Sequence, residues 1–329
     1  MISYEPPFKI TAKAVNLVSE ISRMLGRLDK DLMQMSPQLR KKNRIKTITG
    51  TLAIEGNTMT EEQISGVIEG KAVMGSYKEL AEVNGAIKAY DAIDILDPYS
   101  VDDLLKAHGL MMTEIINDAG QFRTKAVGVH KDNKMIHVAP QAKRVYALMS
   151  DLLSWARDSE HHPLIVSSVF HYELEFIHPF TDGNGRMGRL WQTLILSKWN
   201  KSFAMLPVES IIKAHQQDYY NVLELSDHNG DCTLFIEFML QRILHALKEN
   251  APVNAPQNAP VNASINYEQL STADAIIELI KRNNEINRQE MAELLNKDLR
   301  TIGRAIKKLR EHGRLQRVGS AKDGYWELL

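Results

Sequence analysis

Apolar residues recur at three- and four-residue steps through most of the first 250 positions. Ile10, Ala14, Leu17, Val18, Ile21, Leu25 and Leu28 fall on one face of an amphipathic helix, because 3.6 residues per turn brings such positions into line. The same rhythm runs through residues 100–118, 145–158, 163–177, 186–199, 214–225 and 233–248. The predicted fold class is therefore mainly α, a helical bundle. One stretch differs. Residues 125–130 and 135–138 have strand character on either side of the polar Lys131-Asp132-Asn133-Lys134, which predicts a β-hairpin isolated among helices. Such a hairpin serves as a flap or clamp in some proteins and is an ordinary surface loop in others.

The rhythm stops where Ala-Pro-Val-Asn occurs twice between Ala251 and Ala263, with Pro252, Pro256 and Pro260 four residues apart. Prolines at that spacing, without bulky apolar neighbours, favour an extended linker. This predicts three regions: residues 1–248, a Pro/Asn-rich linker over 249–267, and a small domain over 268–329. In the last of these, helical patterns over 273–282, 288–295 and 299–311 precede two short strands, 315–318 and 325–328, and Asp298 is placed to cap the third helix. Three helices and a two-stranded wing make a winged helix-turn-helix.

Composition narrows the function classes. The 329 residues are 44% hydrophobic and 25% charged, and 40 basic against 41 acidic residues leave a formal charge of −1. A disordered polyelectrolyte is excluded, and nothing in the total charge argues for a whole-chain nucleic-acid binder. Within 269–329, however, 12 basic residues face nine acidic ones, and Arg300, Arg304, Lys307 and Lys308 fall on the third helix. DNA contact through that domain stays open, as does a role in protein interaction or in a homodimer. A single cysteine, Cys232, rules out an internal disulfide and a multi-cysteine zinc site. No secretory leader pattern opens the sequence and no apolar run of about 18 residues occurs, so a cytoplasmic protein without a membrane span is expected.

The chemistry concentrates in His178-Pro-Phe-Thr-Asp-Gly-Asn-Gly-Arg-Met-Gly-Arg189. Gly183 and Gly185 let successive main-chain N–H groups turn toward one point, and the helix that follows adds the positive end of its dipole, so phosphate is the natural guest. Arg186 and Arg189, three apart on that helix, can converge on one polyphosphate. Asp182 conflicts with an anion unless a cation lies between, and Mg²⁺ held by one carboxylate and phosphate oxygens resolves the conflict. His178 titrates near neutrality and can take a proton from an incoming hydroxyl. Together these groups point to nucleotidyl or phosphoryl transfer.

The twelve residues match the HPFx(D/E)GNGRxxR signature, and the chain resembles the Fic (Fic/Doc) family over about residues 40–245. The likeness includes Gly120-Gln-Phe-Arg123 ahead of the hairpin and the pair Tyr219-Tyr220, which resembles aromatics near that family's nucleotide pocket. The resemblance implies AMP transfer from ATP to a Ser, Thr or Tyr hydroxyl of a target protein, with pyrophosphate released. It makes His178 the general base, gives Mg²⁺ to Asp182, and gives ATP to Gly183, Asn184, Gly185, Arg186, Arg189, Tyr219 and Tyr220. Phe180 would anchor the loop, and Val127, Val129 and His130 would belong to a flap that docks the target by main-chain pairing.

A second element precedes the core. In Thr51-Leu-Ala-Ile-Glu55-Gly-Asn57 a carboxylate falls at the end of a helical pattern, where the dipole disfavours it by a few tenths to about 1 kcal/mol. The segment resembles the (S/T)xxxE(G/N) inhibitory motif of Fic proteins, which implies that Glu55 pairs with Arg189 and withholds it from the γ-phosphate, or positions water for AMP removal. Two rivals remain. His171, Glu175 and His178 could share a helix face as metal ligands, although apolar neighbours favour a packed His171. Alternatively, the chain is a winged-helix DNA-binding regulator whose Fic part senses nucleotide or removes AMP. Gly66-Val-Ile-Glu-Gly70-Lys71 lacks the spacing and the Ser/Thr of a P-loop, and no Rossmann or kinase motif occurs.

Overall fold

The computed structural model describes residues 4–33, 36–131, 134–250, 271–282, 286–295, 297–318 and 325–328. The chain divides into two compact units, residues 1–255 and 256–329. The expected linker over 249–267 lies mostly outside the described residues.

The first unit carries α1 (Ala12–Met33), α2 (Pro37–Ile54), α3 (Glu61–Ile68), α4 (Tyr77–Asp91) and α5 (Val101–Met112), then a hairpin of β1 (Gly128–Lys131) and β2 (Lys134–Val138). It continues through α6 (Val145–Asp158), α7 (Pro163–Ile177), α8 (Asn184–Trp199), α9 (Val208–Ala214), α10 (Gln216–Asn229) and α11 (Thr233–Glu249). The mainly helical fold is the one the periodicity predicts. Helix α7 is its axis: every residue from Leu164 to Leu174 is buried, which only a helix surrounded by others achieves. One apolar cluster joins α7 to α1, α9, α10 and α11 through Ile21, Val169, Tyr219, Phe235 and Met239. A second joins it to α5, α6 and α8 through Leu104, Met149, Phe170 and Trp191. The polar loop between α7 and α8 is thus fixed from both sides.

Two boundaries differ from the pattern. The segment expected as helix over 100–118 ends at Met112. The chain must turn back there, because Gly120 donates its N–H to His108 Nδ1 at 2.9 Å and packs against Gly109. The pattern over 214–225 falls across two helices, α9 and α10, which meet at His215. The hairpin strands pair antiparallel, Gly128 opposite Val138, with a bulge between Val129 and His130.

The second unit has α12 (Thr272–Arg282), α13 (Arg288–Leu294), α14 (Leu299–Glu311) and an antiparallel pair, β3 (Leu315–Val318) and β4 (Tyr325–Leu328). Ile276, Ile280, Met291, Ile302, Ile306 and Trp326 form its core. Asp298 caps α14, accepting the Thr301 N–H at 2.8 Å. Arg300, Arg304, Lys307 and Lys308 are all exposed on α14.

Candidate active site

Helix α7 ends on His178, whose φ of 50° is left-handed, and Pro179 prevents the helix from resuming. Among the described residues no other non-glycine has a positive φ. That costs about 1–2 kcal/mol for an L-residue, so the surroundings must enforce it. Arg123 does so. Its buried guanidinium donates to the carbonyls of His178 at 2.6 Å and Ile177 at 3.2 Å, and its own N–H donates to Pro179 at 2.9 Å. The same side chain donates to the carbonyls of Lys125 at 2.9 Å and Pro140 at 2.6 Å, one at each root of the hairpin.

The rest of the loop is held by its own residues. Asn184 accepts the Phe180 N–H at 2.9 Å and donates to the Phe180 carbonyl at 3.0 Å. Its side-chain amide is thereby occupied within the loop. Phe180 stacks on His108 with ring centroids 3.7 Å apart. Because His108 Nδ1 accepts from Gly120, its Nε2 carries the proton and donates to the Asp182 carbonyl at 3.0 Å. Burial pushes the His108 pKa down to about 4, keeping the ring neutral. Gly183 has φ 86° and starts α8. Its N–H donates to Asp182 Oδ1 at 2.6 Å, and the same oxygen accepts from Arg186 Nη2 at 3.0 Å. Asp182 stays half exposed.

Both arginines are buried in the first turns of α8, with Arg186 3% and Arg189 1% exposed. Arg186 Nη1 also lies 3.7 Å from Glu82 of α4, which in turn accepts from Asn57 at 2.8 Å. Nε and Nη1 of Arg186 and Nη1 of Arg189 make no hydrogen bond despite their burial. A multi-oxygen anion is the ligand that would satisfy such donors.

The end of α2 docks against Arg189. Gly56, at φ 89°, closes the helix in a Schellman arrangement: Asn57 N–H reaches the Leu52 carbonyl and Gly56 N–H reaches Ala53. The remaining carbonyls at this end are met by side chains. Arg189 donates to Thr51 O at 3.1 Å, Lys213 to Ala53 O at 2.8 Å, and Gln216 and Tyr220 to Ile54 O at 2.8 and 3.1 Å. Tyr220, expected at the nucleotide, therefore also anchors α2. Glu55, whose charge opposes the helix dipole, accepts from Arg189 Nη2 at 2.7 Å. Burial acts to lower the Arg189 pKa, but Glu55 beside it outweighs burial and holds it above its ordinary value.

Behind this pair lies a polar chain that the motif does not announce. His171 accepts or donates at both ring nitrogens, toward Gln192 at 2.7 Å and the Tyr219 hydroxyl at 3.0 Å. Burial depresses its pKa to about 3. Tyr219, 1% exposed, donates to Glu175 Oε1 at 3.3 Å. It stands behind Glu175 rather than open to solvent. Burial first, and then the charge of Glu55, push the Glu175 carboxyl up to about 7, against the pull of Arg189 and the Tyr219 hydrogen bond. His171, Glu175 and His178 do share α7, but among the described residues no group of three His, Cys, Asp or Glu is arranged to hold a metal ion. Val127 precedes β1, which contains Val129 and His130; the side chains of those two lie outside the described residues. No helix of the described chain is long and apolar enough to cross a membrane.

Comparisons with known proteins bear on this geometry. Residues 98–196, which include the loop and both flanking helices, match the Fic/DOC family model. A Fic family protein of Desulfovibrio desulfuricans G20, known from its crystal structure, is 38% identical, with 99% of this chain and 98% of that one superposed at a TM-score of 0.73. The chain belongs to the Fic family. The Fic likeness extends to protein adenylyltransferase fic-1 of Caenorhabditis elegans, 29% identical over 283 residues, covering 76% of this chain and 53% of that protein. Protein adenylyltransferase Fic of Nematostella vectensis is 32% identical over 198 residues, 57% of this chain and 44% of the relative. The chain thus spans about half the length of these curated Fic relatives.

Proposed function

We propose that the chain is a protein adenylyltransferase that moves AMP from ATP to a hydroxyl side chain of a target protein and is held inactive by Glu55. The observation that carries the reading is the meeting of His178, Asp182 and two buried, incompletely bonded arginines on one glycine-bounded loop. In this reading His178 takes the proton as the target oxygen attacks the α-phosphorus. The bond from that phosphorus to the bridging oxygen breaks, and pyrophosphate leaves. Main-chain N–H groups at the start of α8 and the guanidiniums of Arg186 and Arg189 offset the charge on the phosphates. Asp182, a single half-exposed carboxylate beside the phosphate site, suits Mg²⁺, which when bound would neutralise phosphate charge. The hairpin, fastened by Arg123 next to His178, is suited to lay a target segment beside the base by strand pairing.

The test is transfer from labelled ATP in a cell lysate, using the Glu55→Gly variant. Label from the α-phosphate should enter protein, while label from the γ-phosphate should not. Label from the γ-phosphate alone would replace this reading with phosphorylation.

A second reading concerns residues 268–329, in which the exposed basic residues of α14 favour DNA contact by a winged helix-turn-helix. Retardation of DNA by the full chain at low salt, lost steeply as salt rises, would support it; no retardation at low salt would leave the unit as a protein-interaction module.

A further inference from the structure

Gly185 marks a point where three charged side chains meet. A Cβ built there would stand 2.6 Å from Glu55 Oε1, 3.1 Å from Arg189 Nη1 and 3.2 Å from Glu175 Oε1. Two carboxylates from different helices therefore approach the glycine whose main chain opens α8, and one of them, Glu55, pairs with the buried Arg189 guanidinium there. Of the two carboxylates only Glu55 hydrogen bonds to that guanidinium, through Nη2, while Thr51 accepts from Nε and Nη2; Arg189 Nη1 makes no hydrogen bond. Glu175 is held in place by the Tyr219 hydroxyl.

We propose that Glu175 is a second inhibitory carboxylate, one that faces the start of α8 near Arg189 without pairing with it and must lose its negative charge before a polyphosphate can occupy the site. The inference rests on the nucleotide reading of the loop. Withdrawal of Glu55 alone leaves a carboxylate beside Arg189, and a triphosphate arriving there meets a like charge in a poorly solvated place. Protonation removes the conflict, because the neutral carboxyl no longer repels the phosphate and can donate a hydrogen bond to a phosphate oxygen. The groups that face Glu175 are Glu55 from α2, Arg189 from α8 and Tyr219 from α10, with Tyr220 beside Tyr219 and His171 behind it on α7 itself. Glu55 and burial favour the proton; Arg189 and Tyr219 oppose it. His171 stays neutral through the physiological range and does not compete. ATP, like Glu55, is an anion, so its arrival should draw a proton onto Glu175.

The experiment is calorimetric titration of the full-length Glu55→Gly protein with Mg-ATP, in buffers of different ionisation enthalpy, from pH 6 to 8. A parallel series uses Glu55→Gly combined with Glu175→Gln, an isosteric change that keeps an acceptor for Tyr219. Glu55→Gly should take up protons on binding and lose affinity as pH rises, by roughly tenfold across a window of two pH units centred on the carboxyl. The double variant should take up fewer protons and bind with a flatter pH profile, since proton changes of the nucleotide itself are common to both series. Equal proton uptake and parallel pH profiles would overturn the inference while leaving the nucleotide reading intact. Absence of ATP binding by both proteins at every pH would overturn the nucleotide reading, and the inference with it.

Discussion

Glu55 and Arg189 are separated by 134 positions in the chain and by 2.7 Å in the fold. Each is a poor fit to its own helix without the other. Glu55 stands at the negative end of α2, and Arg189 is a buried cation near the positive start of α8. On the proposed reading, the docking of α2 and the engagement of nucleotide compete for one guanidinium.

Glu55→Gly should therefore raise AMP transfer. A hydrogen bond to a charged group contributes about 1.5–3 kcal/mol, so release of Arg189 should improve ATP affinity by about ten- to hundredfold. The melting temperature should fall as well, because α2 loses its hold on Arg189. Transfer assays and thermal melts on the same preparation check both, and unchanged activity would remove Glu55 from an inhibitory role.

The left-handed backbone at His178 dictates how its chemistry is tested. Alanine there would add strain to the loss of the imidazole, whereas asparagine tolerates that backbone region. His178→Asn should lower the transfer rate by about 10²–10⁴ with an unchanged melting temperature, the signature of a missing base in an intact loop. A wild-type rate would exclude His178 as the base.

Gly50, five residues before Glu55, is where α2 touches α9. A Cβ at Gly50 would stand 2.6 Å from Ser210 N and 2.7 Å from Glu209 C, main-chain atoms that cannot swing aside. Gly50→Ala should destabilise by about 1–3 kcal/mol and, by displacing α2, raise basal transfer. Gly26→Ala on α1 is the control: its Cβ meets nothing within 4 Å, and it should stabilise by about 0.5–1 kcal/mol. Denaturant melts read both.

His108 gives a pH signature. Its pKa is near 4 in the fold and about 6.5 in an unfolded chain, so between these values the unfolded state binds the extra proton. Stability contributed by the neutral ring is fully present above pH 6.5 and drains away as pH falls toward 4, at up to about 1.4 kcal/mol per unit. The stability difference between wild type and His108→Gln should shrink over that window and stay level above it. A constant difference from pH 4 to 8 would contradict the neutral tautomer.

The loop over 178–189 was legible in the sequence because its parts are contiguous and each residue type has few other reasons to stand at that spacing. Glu55 was legible for a different reason, through the resemblance of its segment to the (S/T)xxxE(G/N) motif; a carboxylate at a helix end would not have singled it out alone. His108, Glu82 and the four carbonyls gathered by Arg123 were not, and Glu175 stood out only as a rival metal ligand. Each sits in an ordinary amphipathic pattern, and its meaning depends on which helix crosses which, a property of three-dimensional packing that periodicity does not encode. The closure of the loop by Asn184 was not legible either: both of its side-chain amide atoms bond the Phe180 main chain.

Arg123 grips the hairpin by Lys125 O and Pro140 O, and main-chain carbonyls are offered by every amino acid. The fastening is consequently blind to the sequence it encloses. On the proposed flap reading, the residues between those two roots could be exchanged while the backbone of His178 stays anchored, so recognition of new targets would evolve without the loop over 178–189 having to be rebuilt.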